Sequence, residues 1–307
     1  MSFVRTVLGD IDPKRLGVCD AHAHVIIDPS FATENEPDFL LDDVDRAVAE
    51  LQAFKSLGGG AMIDAMPTAC GRNARKLAEV SRRSGVHLVA STGVHLAKYY
   101  PQDHAILRMN ADELANMMIR EIEDGIEGNE HRAGVIKVAG GRDRLSVFER
   151  EVFAAAAIAH VATGCPILTH TEAGTAVDEQ IDLLEGGGVD LSRVTLSHTD
   201  RNPDFAAHRR WLERGVNLEY DSHFRTKKSP NPTIGLIREL IAEYPDQLMV
   251  GMDAARRSYW KSYGGAPGLA YLLTTLRDAI DLPEAVLRLI YERTPARAFS
   301  FVTRGST

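Results

Sequence analysis

The sequence predicts an α/β fold, a (β/α)8 TIM barrel, and three observations lead to this prediction. Short apolar segments alternate with amphipathic helical patterns along the whole chain. Near-continuous apolar strands separated by helices are typical of a parallel sheet with helices on its faces. Histidine or aspartate recurs at the C-terminal ends of these segments from the first to the last, and only closure of the sheet brings such ends together. An open, doubly wound sheet remains the alternative from periodicity alone.

Eight segments have the pattern of a buried strand and are separated by eight helical segments. In chain order the strands are predicted at Gly17–Asp20, Ala61–Asp64, His87–Ser91, Gly134–Val138, Pro166–His170, Val194–His198, Val216–Tyr220 and Leu248–Asp253. The helices are predicted at Leu41–Leu57, Arg72–Arg83, Ala111–Glu127, Val147–Thr163, Thr175–Leu184, Pro203–Arg214, Thr233–Tyr244 and Leu269–Ile280. We expect one domain over residues 1–307, with the barrel at about 17–280 and a closing C-terminal helix at about 282–301.

Composition and charge exclude several classes of protein. The net charge of −8 argues against non-specific binding to nucleic acid or to a membrane surface. No apolar run is long enough to span a bilayer, and the N-terminus lacks the pattern of an export signal. The three cysteines are widely spaced and form neither a disulfide framework nor a zinc finger. We therefore expect a cytoplasmic protein that acts on a small molecule.

Five residues at strand ends have the side chains of metal ligands. The first strand leads into His22 and His24, which point to the same face because they are two residues apart on an extended backbone. His170 and His198 end the fifth and sixth strands, and Asp253 ends the eighth. Taken singly, each histidine could be a hydrogen-bonded structural residue and Asp253 could cap a helix. Their recurrence at equivalent positions favours a metal site.

Lys137 lies within the apolar fourth strand, where a lysine is costly unless its amine has a partner. It could reach solvent or pair with a nearby acid such as Asp143. If CO2 carboxylates the amine, Lys137 becomes an anion that can bridge two metals. The resulting nitrogen and oxygen ligands suit two divalent ions, with zinc first and manganese, cobalt or iron as alternatives. Two such ions bridged by hydroxide favour hydrolysis.

With these six residues in this order, the chain resembles the phosphotriesterase-like family of the amidohydrolase superfamily over essentially its whole length. The resemblance implies an amidohydrolase-like barrel in which His22, His24 and Asp253 bind one metal. It assigns His170 and His198 to the other metal and a carboxylated Lys137 to the bridge. It also implies a homodimer.

Within that family, the segment 253–261 resembles the branch that opens lactones of phosphorylated sugars. The resemblance assigns the substrate phosphate to Arg256 and Tyr259. A lysine from the preceding loop would assist, supplied by Lys227 or Lys228, although His223 could occupy its place.

The residues themselves also indicate an anion pocket. A basic cluster follows the seventh and eighth strands, where barrels often bind phosphate: Arg225, Lys227, Lys228, Arg256, Arg257 and Lys261. The third-strand loop adds Tyr99 and Tyr100, which could orient a substrate carbonyl or merely pack at the rim. Glu172 and Asp200 each follow a candidate ligand by two residues, so we expect them to orient ligands or cap loops.

The predicted activity is opening of a sugar lactone, with Asp253 transferring the proton between the attacking hydroxide and the leaving alkoxide. A carboxylesterase, phosphotriesterase or amide hydrolase on the same metals is the alternative. A non-catalytic binding protein is a further alternative, against which the complete ligand set argues.

Overall fold

The computed structural model describes residues 2–302, so Met1 and residues 303–307 of the predicted domain lie outside the described residues. Eight parallel strands, adjacent in chain order, form a nearly closed barrel, which confirms the predicted (β/α)8 TIM barrel. A short antiparallel hairpin, β1 (Val4–Thr6) and β2 (Gly9–Ile11), precedes the barrel. The barrel strands are β3 (Val18–Ala23), β4 (Gly59–Asp64), β5 (His87–Val94), β6 (Val135–Gly140), β7 (Ile167–Thr171), β8 (Val194–Ser197), β9 (Asn217–Tyr220) and β10 (Leu248–Val250).

The helices follow the predicted segments closely. After α1 (Phe31–Asn35), which was not predicted, they are α2 (Val44–Ser56), α3 (Ala74–Ser84), α4 (Ala111–Glu123), α5 (Val147–Thr163), α6 (Val177–Gly186), α7 (Phe205–Glu213), α8 (Pro232–Leu240), α9 (Thr275–Ile280), α10 (Glu284–Arg288) and α11 (Thr294–Ala298). Among residues 2–302, no helix is both long and apolar enough to cross a membrane.

The last two predicted helices are interrupted. The segment predicted at Leu269–Ile280 begins as a 3-10 helix, and α9 starts only after Thr274, whose ψ of −96° breaks the regular backbone. The closing helix widens into a π-turn over Leu289–Arg293. Pro295 follows this turn, and because proline has no N–H, a regular α-helical hydrogen bond cannot form there.

The barrel interior is filled by side chains and closed at its N-terminal end. Val135 and Leu168 belong to a small core inside the barrel, and Val4 of the hairpin packs into the same core with Phe299. A larger core lies between the strands and the surrounding helices. The hairpin was not predicted because three-residue strands are too short to show periodicity. Through Val4, the hairpin covers part of the barrel end opposite the candidate site.

The first and last barrel strands are joined through Asp20. Its Oδ1 accepts hydrogen bonds from the backbone N–H groups of His22 (3.1 Å) and Met252 (3.1 Å). The Asp253 N–H also donates to the His22 carbonyl oxygen at 2.7 Å. Burial raises the pKa of Asp20 to about 8. A strand end that carries two candidate ligands is thus fixed against the segment that carries a third.

Gly93 determines how closely β5 approaches β6 beside Lys137. The two residues are paired in register, and Gly93 has a φ of +109°. A Cβ atom at this position would lie 2.0 Å from the Lys137 carbonyl oxygen. Only glycine leaves room for the backbone that holds Lys137.

We predict that Gly93→Ala lowers the free energy of unfolding by about 3 kcal/mol or more, because it adds a backbone clash to an unfavourable φ. Gly85→Ala is the matched control, since Gly85 also has a positive φ of +70° but its added Cβ would meet nothing within 4 Å. The control should cost only about 1–2 kcal/mol. Urea unfolding followed by circular dichroism measures both, and equal losses would contradict the steric argument.

Candidate metal centre

The six predicted ligands converge at the C-terminal end of the barrel. The His22 and His198 rings lie 4.7 Å apart, and the His170 and His198 rings 4.6 Å apart. His24 Nε2 lies 3.2 Å from Asp253 Oδ1, and Lys137 Nζ lies 3.4 Å from His22 Nε2. Residues separated by more than 200 positions in sequence thus share one cluster.

The strand geometry explains why these side chains point inward. Lys137 follows Val135 by two residues and His170 follows Leu168 by two, and both apolar residues face the core inside the barrel. His198 comes directly after β8 and Asp253 three residues after β10, both in left-handed conformations, with φ of +64° and +44°. Such conformations in residues other than glycine cluster at functional sites, where the surrounding structure holds them.

Lys137 is buried, with 1% of its surface exposed. Burial lowers the pKa of its amine to about 8, against the opposing effect of the Asp253 and Glu219 carboxylates. Asp143 is exposed, whereas Lys137 is buried. Neither an ion pair with Asp143 nor access to solvent therefore explains a lysine within this apolar strand. A buried amine with a lowered pKa is partly neutral near pH 8, and the neutral amine is the form that CO2 carboxylates.

The donor set fits divalent metals. Burial lowers the pKa of His22 well below its ordinary value and that of His198 to about 3, so both imidazoles are neutral and have free lone pairs. Burial acts to raise the pKa of Asp253, but Arg225 and His198 outweigh it and hold the pKa well below its ordinary value. His22, His24 and Asp253 lie close enough together to hold one ion.

Sequence reasoning missed two buried carboxylates, Glu219 and Asp221. The Asp221 Oδ2 atom contacts His198 Nδ1 at short range, and a Glu219 oxygen lies 3.5 Å from His22 Nδ1. Carboxylates at this position orient ligand imidazoles and increase their basicity. The signal was available, because the two acids are two residues apart at the end of β9, one within the strand and one directly after it, where they share a face.

Glu172 and Asp200 have different roles. Glu172 Oε2 lies 3.4 Å from His170 Nε2 and 3.3 Å from Lys98 Nζ, and its pKa is lowered to about 2, chiefly by His170. Asp200 instead accepts hydrogen bonds from the Ser222 N–H (2.9 Å) and the Thr233 hydroxyl (2.6 Å). Glu172 therefore contacts a ligand, whereas Asp200 holds a loop.

Two arginines contact Asp253. The Nη2 atoms of Arg201 and Arg225 lie 3.1 and 3.0 Å from Asp253 Oδ2. Arg225 was predicted as part of the basic cluster, but Arg201 was not identified. Both cations favour the ionised form of Asp253.

A cavity of about 340 Å³ opens above the ligands. Its wall includes four residues that could contact a substrate: Tyr99, Arg225, Arg256 and Tyr259. Guanidinium groups form paired hydrogen bonds with phosphate or carboxylate. The cavity thus combines a candidate metal cluster with an anion-binding wall.

Several predicted substrate contacts lie outside this wall. Tyr100 is buried, and its hydroxyl donates to the Thr68 carbonyl (3.1 Å) while accepting from the His95 N–H (2.9 Å). Lys227 and Lys228 are exposed, and the His223 ring contacts the Tyr271 hydroxyl at 2.7 Å. In that loop only Arg225 reaches the cavity, because its side chain turns toward Asp253.

Comparisons with known proteins identify the family of the chain. A profile of the Phosphotriesterase family matches residues 2–294. A phospho-furanose lactonase of Mycoplasmopsis synoviae is 31% identical, over 97% of this chain and 92% of its own. The crystal structure of a lactonase from Listeria monocytogenes superposes with a TM-score of 0.91 at 30% identity, covering 98% of this chain and 100% of that one. An N-acetyltaurine hydrolase of Rattus norvegicus is 28% identical, over 94% and 93% of the two chains.

We predict that Asp221→Asn weakens zinc binding by about 10- to 100-fold, because His198 loses the carboxylate that orients its ring. Asp200→Asn is the matched control, since Asp200 is equally buried but contacts no candidate ligand. Competition with a chromophoric chelator measures both affinities. Equal affinity in the Asp221 variant and the wild type would contradict this role.

Proposed function

The chain belongs to the phosphotriesterase family of metal-dependent hydrolases, and from this premise we propose that it opens the lactone ring of a phosphorylated sugar at a binuclear metal centre. One observation carries the proposal: Arg225, Arg256 and Tyr259 line the same cavity as the candidate ligands. Cationic groups thus share a pocket with the candidate metal ligands in an otherwise acidic protein, which supports an anionic substrate. Lactonases among the relatives support the choice of a lactone.

In this proposal His22, His24 and Asp253 hold one ion, and His170 and His198 hold the other. Lys137, carboxylated by CO2, would bridge them. Zinc is the first candidate metal, with manganese, cobalt or iron as alternatives. When bound, such a pair supplies a nucleophile at neutral pH and polarises the substrate carbonyl.

Asp253 is the proposed proton carrier. Arg201 and Arg225 keep its carboxylate ionised, so it can accept the proton of the attacking water and release it to the ring oxygen as the ester bond breaks. Tyr99 lies on the wall and would orient the lactone carbonyl.

Arg256, Tyr259 and Arg225 would bind the phosphate of the substrate. Because phosphate takes no part in the bond change, these contacts would mainly position the lactone for attack. Small anionic molecules are therefore the proposed substrates. The homodimer that the family resemblance implies stays a prediction.

Amide hydrolysis is the second candidate, because the N-acetyltaurine hydrolase relative is similar over most of both chains. The same centre could also serve a carboxylesterase or a phosphotriesterase. Substrate preference distinguishes all of these reactions.

We predict that the metal-reconstituted enzyme prefers phosphorylated sugar 1,4-lactones to unphosphorylated ones, acyl-homoserine lactones, simple esters, N-acyl amides and a phosphotriester. Arg256→Met should raise KM for the phosphorylated lactone by about 10- to 100-fold, because a charged hydrogen bond is lost. A pH-indicator assay measures the rates.

Arg257→Met is the control for this experiment, since Arg257 pairs with Asp42 outside the cavity wall. It should leave KM near the wild-type value. Activity confined to amides or triesters, or no effect of the phosphate on KM, would exclude the lactone assignment and leave the metal centre intact.

We predict that Asp253→Asn lowers kcat on the order of 10²- to 10⁴-fold, because asparagine cannot accept the proton. The fold should survive, since asparagine tolerates the left-handed backbone at this position. Asp143→Asn is the matched control, because Asp143 also has a positive φ of +66° but is exposed. Steady-state kinetics measure kcat for both variants. Near-normal turnover in the Asp253 variant would show that Asp253 does not transfer the proton.

A further inference from the structure

A second cavity lies at the N-terminal end of the barrel, opposite the candidate metal centre. It has a volume of about 450 Å³ and is bordered by the segment before β3, the segment before β8 and the closing helix. Four cationic side chains line it, Lys14, Arg193, Arg293 and Arg297, against one carboxylate, Glu292. In a chain of net charge −8, this concentration of positive charge needs an explanation.

The two inner arginines have few anionic neighbours. Arg193 Nη1 donates to the Arg297 carbonyl oxygen, while Arg193 Nε is buried without a hydrogen-bond partner among the described residues. Asp190 comes no closer to that nitrogen than 4.0 Å. Within residues 2–302, Arg297 donates to three neutral oxygens, those of the Ser192 carbonyl (3.0 Å), the Asn217 amide and the Asp246 carbonyl. Burial lowers the pKa of both arginines, and Arg193 lowers that of Arg297 further.

The two outer cations are exposed at the rim. Within residues 2–302, neither the Lys14 ammonium nor the Arg293 guanidinium has a hydrogen-bonding or ion-pair partner. Both side chains border the cavity that contains the inner pair. All four cations thus border one cavity, and the two outer side chains can turn toward a bound group without breaking an ion pair.

We propose that this basal cavity binds a phosphate group, either free or carried by a small metabolite. Its volume falls in the range of small-molecule sites. Guanidinium groups match the oxygens of phosphate, and the partly buried position strengthens such contacts relative to water. The site is separate from the proposed anion wall around Arg256, since the two lie at opposite ends of the barrel.

Hydrogen–deuterium exchange tests this site locally in the metal-loaded full chain. Titration with inorganic phosphate should slow exchange in peptides that cover residues 12–18 and 289–302. The Lys14→Gln/Arg293→Gln double variant should raise the apparent Kd at these peptides at least tenfold, since each lost contact is worth on the order of tenfold. Since neither side chain has a hydrogen bond or ion pair within the described residues, the variant should unfold like the wild type.

Two controls separate this site from other effects. Arg75→Gln removes an exposed cation on α3, away from the cavity, and should leave the protection unchanged. Arg256→Met, which alters the opposite end of the barrel, should also leave it unchanged. A parallel titration with ribose 5-phosphate identifies the source of the phosphate group. A lower apparent Kd than with inorganic phosphate would assign a phosphorylated metabolite, and a higher one would assign the free ion.

Two results would overturn the proposal. One is the absence of protection at either basal segment in the wild type. The other is equal protection in the double variant and the wild type, which would show that the two outer cations do not bind the phosphate as proposed.

Discussion

Burial of Lys137 is the constraint on which the rest of the site depends. A protonated amine inside the barrel would be costly, and burial already lowers its pKa to about 8. Carboxylation would exchange this cation for an anion, which then requires positive charge beside it. Two divalent ions between the strand ends would satisfy that requirement. Gly93 contributes to the burial of Lys137, because its missing Cβ lets β5 pass close to the Lys137 backbone.

The charges around the ligands are arranged in layers. The histidines face the cavity, Asp221 and Glu219 lie beneath His198 and His22, and Arg201 and Arg225 approach Asp253 from the side. Within residues 2–302 the Glu219 oxygens have no hydrogen-bond partner, whereas the Asp221 and Asp253 carboxylates each contact a nitrogen group at hydrogen-bonding distance. Such buried networks hold side chains in one geometry, because leaving any member without its partner is costly.

Periodicity predicted the eight barrel strands, since each has a continuous apolar segment. The two-residue spacing predicted which side chains share a face. The candidate ligands could be named from the sequence because their polarity contrasts with the strands that carry them. The hairpin was missed because its strands are too short for a period. Arg201 and the position of Tyr100 could not be predicted, because loop conformation decides whether a side chain turns toward the cavity. Asp221 could have been identified from its spacing of two residues from Glu219 at the end of β9.

The left-handed backbone at His198 and Asp253 limits how this centre can change its ligands during evolution or engineering. At positive φ, aspartate, asparagine, histidine and glycine are favoured over longer or branched residues. Replacement of Asp253 by glutamate would therefore incur a backbone penalty besides lengthening the carboxylate by one methylene. His22 and Lys137 carry no such restriction, because they lie on extended strands. Substitutions that change the metal preference are thus easier to accept at His22 and Lys137 than at His198 and Asp253.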